Sequence, residues 1–238
     1  MNLLNIRIMM TNLMKSFFVS SAVLLAFSAC SLGGGGMDMS SEETVFKVKE
    51  VVAEYVNLQE NKLYELKWSE RQDEKKLKNE LGEIYICFVN QDDQSFYQII
   101  SCEGGEFKAD DARPAKRAVS YELTESLPLD SITPAYIQSM TAEGKKLFSE
   151  TEGSEQYEFK SVEFYRFSMD PVYKESIGNI MGGFPLKKEK KNETMHFYMD
   201  QNYLKKGEES EMHGKHLWTN YYTISFKLDD NGKLTLFS

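Results

Sequence analysis

The chain predicts an α+β fold, with amphipathic helices packed on a curved antiparallel sheet, and three observations point there. Apolar residues recur at three- and four-residue steps over 40–67 and again after Thr133, the spacing of one helix face. Elsewhere the pattern alternates, most clearly in YEFKSVEFYRFSM at 157–169, which is the period of a half-buried strand. Turn-forming clusters separate these runs, QDDQS at 91–95 and DDNG at 229–232, where Asp, Asn and Gly are favoured for local bonding and left-handed backbone.

Taken in order, SSEETVFKVKEVVAEYVNLQENKLYELK (40–67) reads as a helix. Ser40 and Glu43 have capping-box spacing; Val45, Val48, Val52 and Tyr55 face a core, and Lys47, Lys49, Glu50 and Glu54 face water. ERQDEKKLKNELG (70–82) is charged, helical or irregular, with Gly82 as a stop. Strands are expected at 83–90, 96–103 and 116–124, with a loop over 103–116 and a linker at 126–130. Thr133 and Pro134 read as N-cap and first helical residue of a helix that breaks at Gly144, with a further turn over 145–150. The remainder is a strand over 157–169, a long connection over 171–192, a short strand over 193–200, and a closing hairpin from 221 onward.

That hairpin has a preferred register. A two-residue Asn-Gly turn would set Leu228 opposite Thr235 and mix the two faces, and a one-residue slip exposes the whole apolar set. A three-residue loop, Asp230-Asn231-Gly232, sets Leu228 opposite Leu234 and Phe226 opposite Leu236, with Gly232 in the left-handed position. Each half of the body thus runs helix, then strands. The boundaries are 42–128 and 129–238, as two tandem units or as one domain over 42–238 with a single larger curved sheet. In element order this resembles the cystatin and nuclear-transport-factor style of small fold, an analogy that carries no function.

The most specific motif is at the N-terminus. Lys15 precedes the apolar run FFVSSAVLLAFSA (17–29), which ends in two small residues before Cys30 and then SLGGGG. The run has the length of a signal-peptide core and is too short to span a bilayer. Residues 14–36 resemble a bacterial lipoprotein precursor, although that family prefers Leu where this chain has Phe27. The resemblance implies a signal peptide over 1–29, cleavage before Cys30, and acylation of the Cys30 thiol and new amine. Ser31 goes with sorting to the outer membrane in that family. Gly33–Gly36 then serve as a flexible tether within 30–41. Residues 1–13 fit this signal poorly, so Met14 is the expected start, unless the charged leader is unusually long.

Composition narrows the partners. The net charge is −9, and 1–29 contribute only Arg7 and Lys15, so the rest of the chain carries −11. Such a body repels phosphate backbones, which argues against nucleic acid. Cys87 and Cys102 remain as candidates for a disulfide, although a tight hairpin sets Cys87 opposite Gln98, and Cys102 about 13 Å further along. The histidines are His196, His213 and His216; HGKH beside Glu211 is a weak metal candidate in a polar loop. Hydrolase and phosphate-loop signatures are absent, and no cofactor is expected. Aromatic residues make up 13% of the chain, and tyrosine is enriched at recognition surfaces. Trp218, Tyr221, Tyr222, Phe164 and Tyr165 are therefore the candidate binding patch. The expected function is a membrane-anchored, non-catalytic envelope lipoprotein that binds a protein or envelope component. The alternatives are a lipid-anchored enzyme using His196, His213 and His216, or a purely structural lipoprotein.

Overall fold

Glu42–Tyr55 forms helix α1 in the computed structural model, which describes residues 36–73, 76–174, 194–208, 210–213 and 216–237, with 211–213 and 216–218 described as backbone. The expected signal segment, Cys30, most of the tether, and most of the long connection over 171–192 lie outside these residues. Ser41, one residue later than expected, caps α1 and accepts the Thr44 N–H at 3.1 Å. Val45, Val48, Val51 and Val52 are buried along one face.

The helix ends sooner than the sequence suggests. A turn from Asn57 to Asn61 stops it, with the Asn61 N–H bonded to the Asn57 carbonyl at 2.9 Å. Lys62–Glu70 is then strand β1. The misreading has a physical cause. A bulge at Tyr64 adds one residue to the strand, so Leu63 and Leu66 share a face at a three-residue step that mimics a helix.

β2 (Leu81–Val89) and β3 (Ser95–Glu103) form the expected hairpin, one residue off the expected register, with Cys87 opposite Tyr97 and Ile86 opposite Gln98. The stretch read as a loop contains β4 (Glu106–Ala109) and β5 (Arg113–Pro114), both paired with β3. Gly104 and Gly105 at φ 60° and 85° make the turn into β4, a two-glycine hairpin signal present in the sequence. The strand expected over 116–124 does not form. Val119 makes one isolated bridge with Tyr173, and the turn after it is gathered by the Lys62 ammonium, which donates to the Tyr121 and Thr124 carbonyls at 2.7 and 2.9 Å.

Helix α2 spans Pro134–Ser149, with Thr133 capping it as expected. Gly144 does not break it. A Cβ there would lie 2.7 Å from Met199 Cε and 2.8 Å from Gln201 Nε2, so the glycine permits close helix–sheet approach. β6 (Tyr157–Ser168), β7 (His196–Lys205), β10 (Tyr222–Leu228) and β11 (Leu234–Phe237) complete the main sheet. The β10–β11 register is the expected one, Phe226 opposite Leu236 and Leu228 opposite Leu234, with Gly232 at φ 74°. β8 (Glu211–His213) and β9 (His216–Trp218) form a separate two-stranded hairpin in place of the expected loop, with His213 opposite His216.

The nine-stranded sheet is antiparallel and open, ordered β11-β10-β7-β6-β1-β2-β3-β4 with β5 beside β3. β1 and β6 join the two halves through Trp68 opposite Tyr165, so Gly36–Ser238 is one unit with one main sheet. Both helices lie on the face that carries Trp68, Tyr165, Phe167 and Phe197. The Tyr165 hydroxyl bonds Ser40 Oγ, just ahead of α1, and Thr141 Oγ1 of α2, at 2.8 and 2.6 Å. Trp68 sits at ring distances of 5.1 Å from Tyr165 and 5.6 Å from Phe167, and all four aromatics are essentially inaccessible. This face is the core.

Candidate functional site

The other face of the sheet is free of both α1 and α2. Alternation brings Glu65 and Lys67 of β1, Tyr85 and Cys87 of β2, Tyr97 of β3, Phe164 and Arg166 of β6, and Tyr198 of β7 onto it. Charges and rings interleave across the strands. Arg166 Nε lies 2.9 Å from Glu65 Oε1, with its guanidinium 5.6 Å from the Tyr198 ring. The Lys67 ammonium is 4.7 Å from the Phe164 ring, and Tyr85 stacks on Tyr97 at 6.1 Å. All of these aromatics are half-buried, and the three tyrosines offer area and a polar tip together.

At the end of this face opens a pocket of about 530 Å³ lined by Lys67, Ser69, Glu70, Arg71, Glu83 and Glu163 among others. Beside it lies a buried polar cluster. Glu70, 1% exposed, accepts from the Asn79 N–H at 2.7 Å, Ser161 Oγ at 2.8 Å and Asn202 Nδ2 at 3.4 Å. Glu163 accepts from Asn202 Nδ2 at 2.8 Å and Gln72 Nε2 at 2.9 Å, and pairs with Lys76. The Lys76 ammonium also lies 3.7 Å from Glu70 Oε2 and 5.4 Å from the Tyr221 ring. Two bulges in β6, at Lys160 and Glu163, produce this convergence. They release the Val162 N–H to the Asn79 side chain at 2.8 Å and re-aim neighbouring side chains.

The two carboxylates are pushed apart electrostatically. Burial raises the Glu70 pKa against the bonds from Ser161 and Asn79. Burial also acts upward on Glu163, but hydrogen bonds from Lys76, Asn202 and Gln72 outweigh it and hold that carboxyl below its ordinary value. Opposed carboxylates can serve acid and base roles. Here their named donors come from the chain itself, and the cluster ties the connection after β1 to β6 and β7.

The predicted patch is divided by the fold. Phe164 lies on the helix-free face, while Tyr165 is fully buried on the other, because neighbours in a strand point oppositely; Tyr165 is a core residue and not part of a surface. Tyr221 and Tyr222 are exposed, 42% and 39%. Tyr221 adjoins the Lys76–Glu163 pair, and Tyr222 meets Tyr157 edge-on at 5.1 Å. The Trp218 side chain lies outside the described residues. Tyr85, Tyr97 and Tyr198 were missed, although each stands at an alternate position in a strand.

Cys87 and Cys102 are both free, which corrects the disulfide expectation. Cys87 shares its face with Tyr85, whose hydroxyl it meets at 3.2 Å. Cys102, two residues after Ile100 in β3, shares the core face with it, opposite to the face of Cys87, and is paired across to Phe107. Burial pushes the Cys87 thiol up to about 11. Neither the alternation nor the register can bring the two sulfurs together.

The histidines are not gathered. His196 begins β7, 3.3 Å from Asp170 Oδ2, whereas the chain reaches the hairpin carrying Glu211, His213 and His216 from the far end of β7, about 30 Å away at strand rise. Among the described residues no group of three His, Cys, Asp or Glu is placed to hold a metal ion, and no described helix is long and apolar enough to cross a membrane. No protein-family model, curated protein or solved structure matches this chain.

Proposed function

We propose that this chain is a lipid-anchored, non-catalytic binding module of a bacterial cell envelope. It is held in the outer membrane through acyl groups on Cys30 and presents its helix-free sheet face to a protein or envelope component, as an inhibitor or immunity protein would. One observation carries the reading: among the described residues, a sheet face lined by Tyr85, Tyr97, Phe164 and Tyr198 carries neither α1 nor α2, while both lie on the opposite face. Half-buried tyrosines bring contact area with little loss of rotamer freedom. The lipoprotein-like segment at 14–36 and the glycine tether support anchorage. The helix-on-antiparallel-sheet order supports a curved, cystatin- or nuclear-transport-factor-style scaffold, an analogy of architecture alone.

The test has two parts. A fatty-acid analogue should label the full chain and fail to label Cys30→Ala, and protease access on intact cells should report which side of the membrane the body occupies. A photo-crosslinking residue in place of Tyr97 should capture a partner from cells, whereas one at exposed Phe46 on α1 should not. Label retained in Cys30→Ala removes the anchor. Equal capture from both positions, or none from Tyr97, removes the binding face and favours a purely structural lipoprotein. One observation favours a second reading, a lipid-anchored enzyme: the opposed carboxylates Glu70 and Glu163 beside a pocket. Turnover of an envelope substrate that is lost in Glu163→Gln, with unchanged unfolding, would establish it.

A further inference from the structure

The two edges of the main sheet are built differently. At one edge β4 exposes Glu106 and Lys108, and β5 ends in Pro114. Charge and proline on an edge strand discourage pairing with another chain. At the other edge β11 reads Leu-Thr-Leu-Phe, with no charge, proline or bulge. Leu236 and Phe237 are 44% and 49% exposed. The Lys233 carbonyl accepts the Asp229 N–H at 2.9 Å. Strand periodicity therefore turns the backbone groups of Thr235 and Phe237 toward β10, and those of Leu234 and Leu236 outward. Among the described residues no strand pairs with that outer side.

We propose that β11 pairs antiparallel with β11 of a second copy of this chain, extending the sheet across a two-fold axis. Side chains opposite one another share a face, so the register centres on Leu236. Leu236 then lies opposite its own counterpart and exchanges both backbone hydrogen bonds with it, and Thr235 lies opposite Phe237. An antiparallel edge is self-complementary under such an axis. Charge opposes a second copy least at this place. Two bodies of charge −11 repel broadly, but the 234–237 edge has no ionisable side chain, and beside it Lys233 and Lys227 offset Asp229 and Asp230.

Sedimentation of the full chain in nonionic detergent tests this, with amide exchange read at Leu236. The expected result is a two-chain species that grows with protein concentration and in which this amide exchanges at least tenfold more slowly than in the single chain. Leu236→Lys and Phe237→Lys should each weaken it at least tenfold, and both side chains are exposed enough for the fold to survive. Phe46→Lys, on a distant exposed residue, should leave it unchanged. A single chain at every concentration overturns the proposal, as does a two-chain species indifferent to Leu236→Lys. Protection of the same amide only on adding an extended apolar peptide of unrelated sequence also overturns it, and assigns the edge to another protein's strand.

Discussion

The same strands build both faces of the main sheet, so the contrast between those faces arises from alternation and from what is laid on top. On the covered face Trp68, Tyr165, Phe167 and Phe197 are packed ring against ring, and the one buried hydroxyl of the group is tied to residues beside α1 and within α2. On the helix-free face Tyr85, Tyr97, Phe164 and Tyr198 sit among Glu65, Lys67 and Arg166, half in water. Equal aromatic content therefore stands for two different things. One set is bound into a close-packed interior, where each side chain is held by many contacts. The other keeps its tyrosine hydroxyls and its charges accessible to water.

Substitutions should separate the faces by size of effect. Trp68→Ala should destabilise the chain most, by about 3–5 kcal/mol in urea unfolding, because it leaves a large cavity under both helices. A loss below about 1 kcal/mol would show that the covered face is loosely packed. Removing a single hydroxyl sharpens the comparison. Tyr165→Phe breaks the bonds to Ser40 and Thr141 and should cost about 1–2 kcal/mol, while Tyr198→Phe should fall within about 0.5 kcal/mol. Equal costs would erase the distinction.

The carboxylate cluster at the end of the open face predicts a pH signature. Glu163 has a lowered folded pKa, so its contribution to stability is present above the ordinary glutamate range and is lost as pH falls through the folded value. Glu70 has a raised folded pKa, so its contribution is present at low pH and is lost as pH rises through that value. Denaturation midpoints measured from about pH 7 to about pH 4 should fall less steeply in Glu163→Gln than in the parent chain, and more steeply in Glu70→Gln. Parallel profiles would mean that neither carboxyl is perturbed. The smallest effect concerns the thiols. With Cys87 pushed up to about 11 and Cys102 also raised by burial, neither should be alkylated in the folded chain near pH 8, and both should react at once after unfolding.

Some elements were legible because their information is local. Thr133-Pro134 declares the start of α2, the alternation over 157–169 declares β6, and the face arithmetic of Phe226, Leu228, Leu234 and Leu236 gives the closing register. β1 was hidden because its Tyr64 bulge counterfeits helical spacing. β4 was hidden because its four residues are half polar, although Gly104-Gly105 marks its turn. The buried cluster was not legible at all. Glu70 and Asn79 are remote in sequence from Ser161 and Asn202, and two bulges in β6 are needed to bring them together.

Alternation and residue type by themselves determined that this chain makes an antiparallel sheet with helices, that the region after 29 is strongly acidic, and that an apolar run over 17–29 precedes it. Those properties follow from spacing and charge within short windows. Only the tertiary structure decided which face of each strand the helices cover. Period-two patterning defines two faces without naming the inner one. Phe164 and Tyr165 make the point: they are adjacent in the chain and comparable in chemistry, and the β1–β6 pairing with α2 above it sends one to the open face and the other to the core.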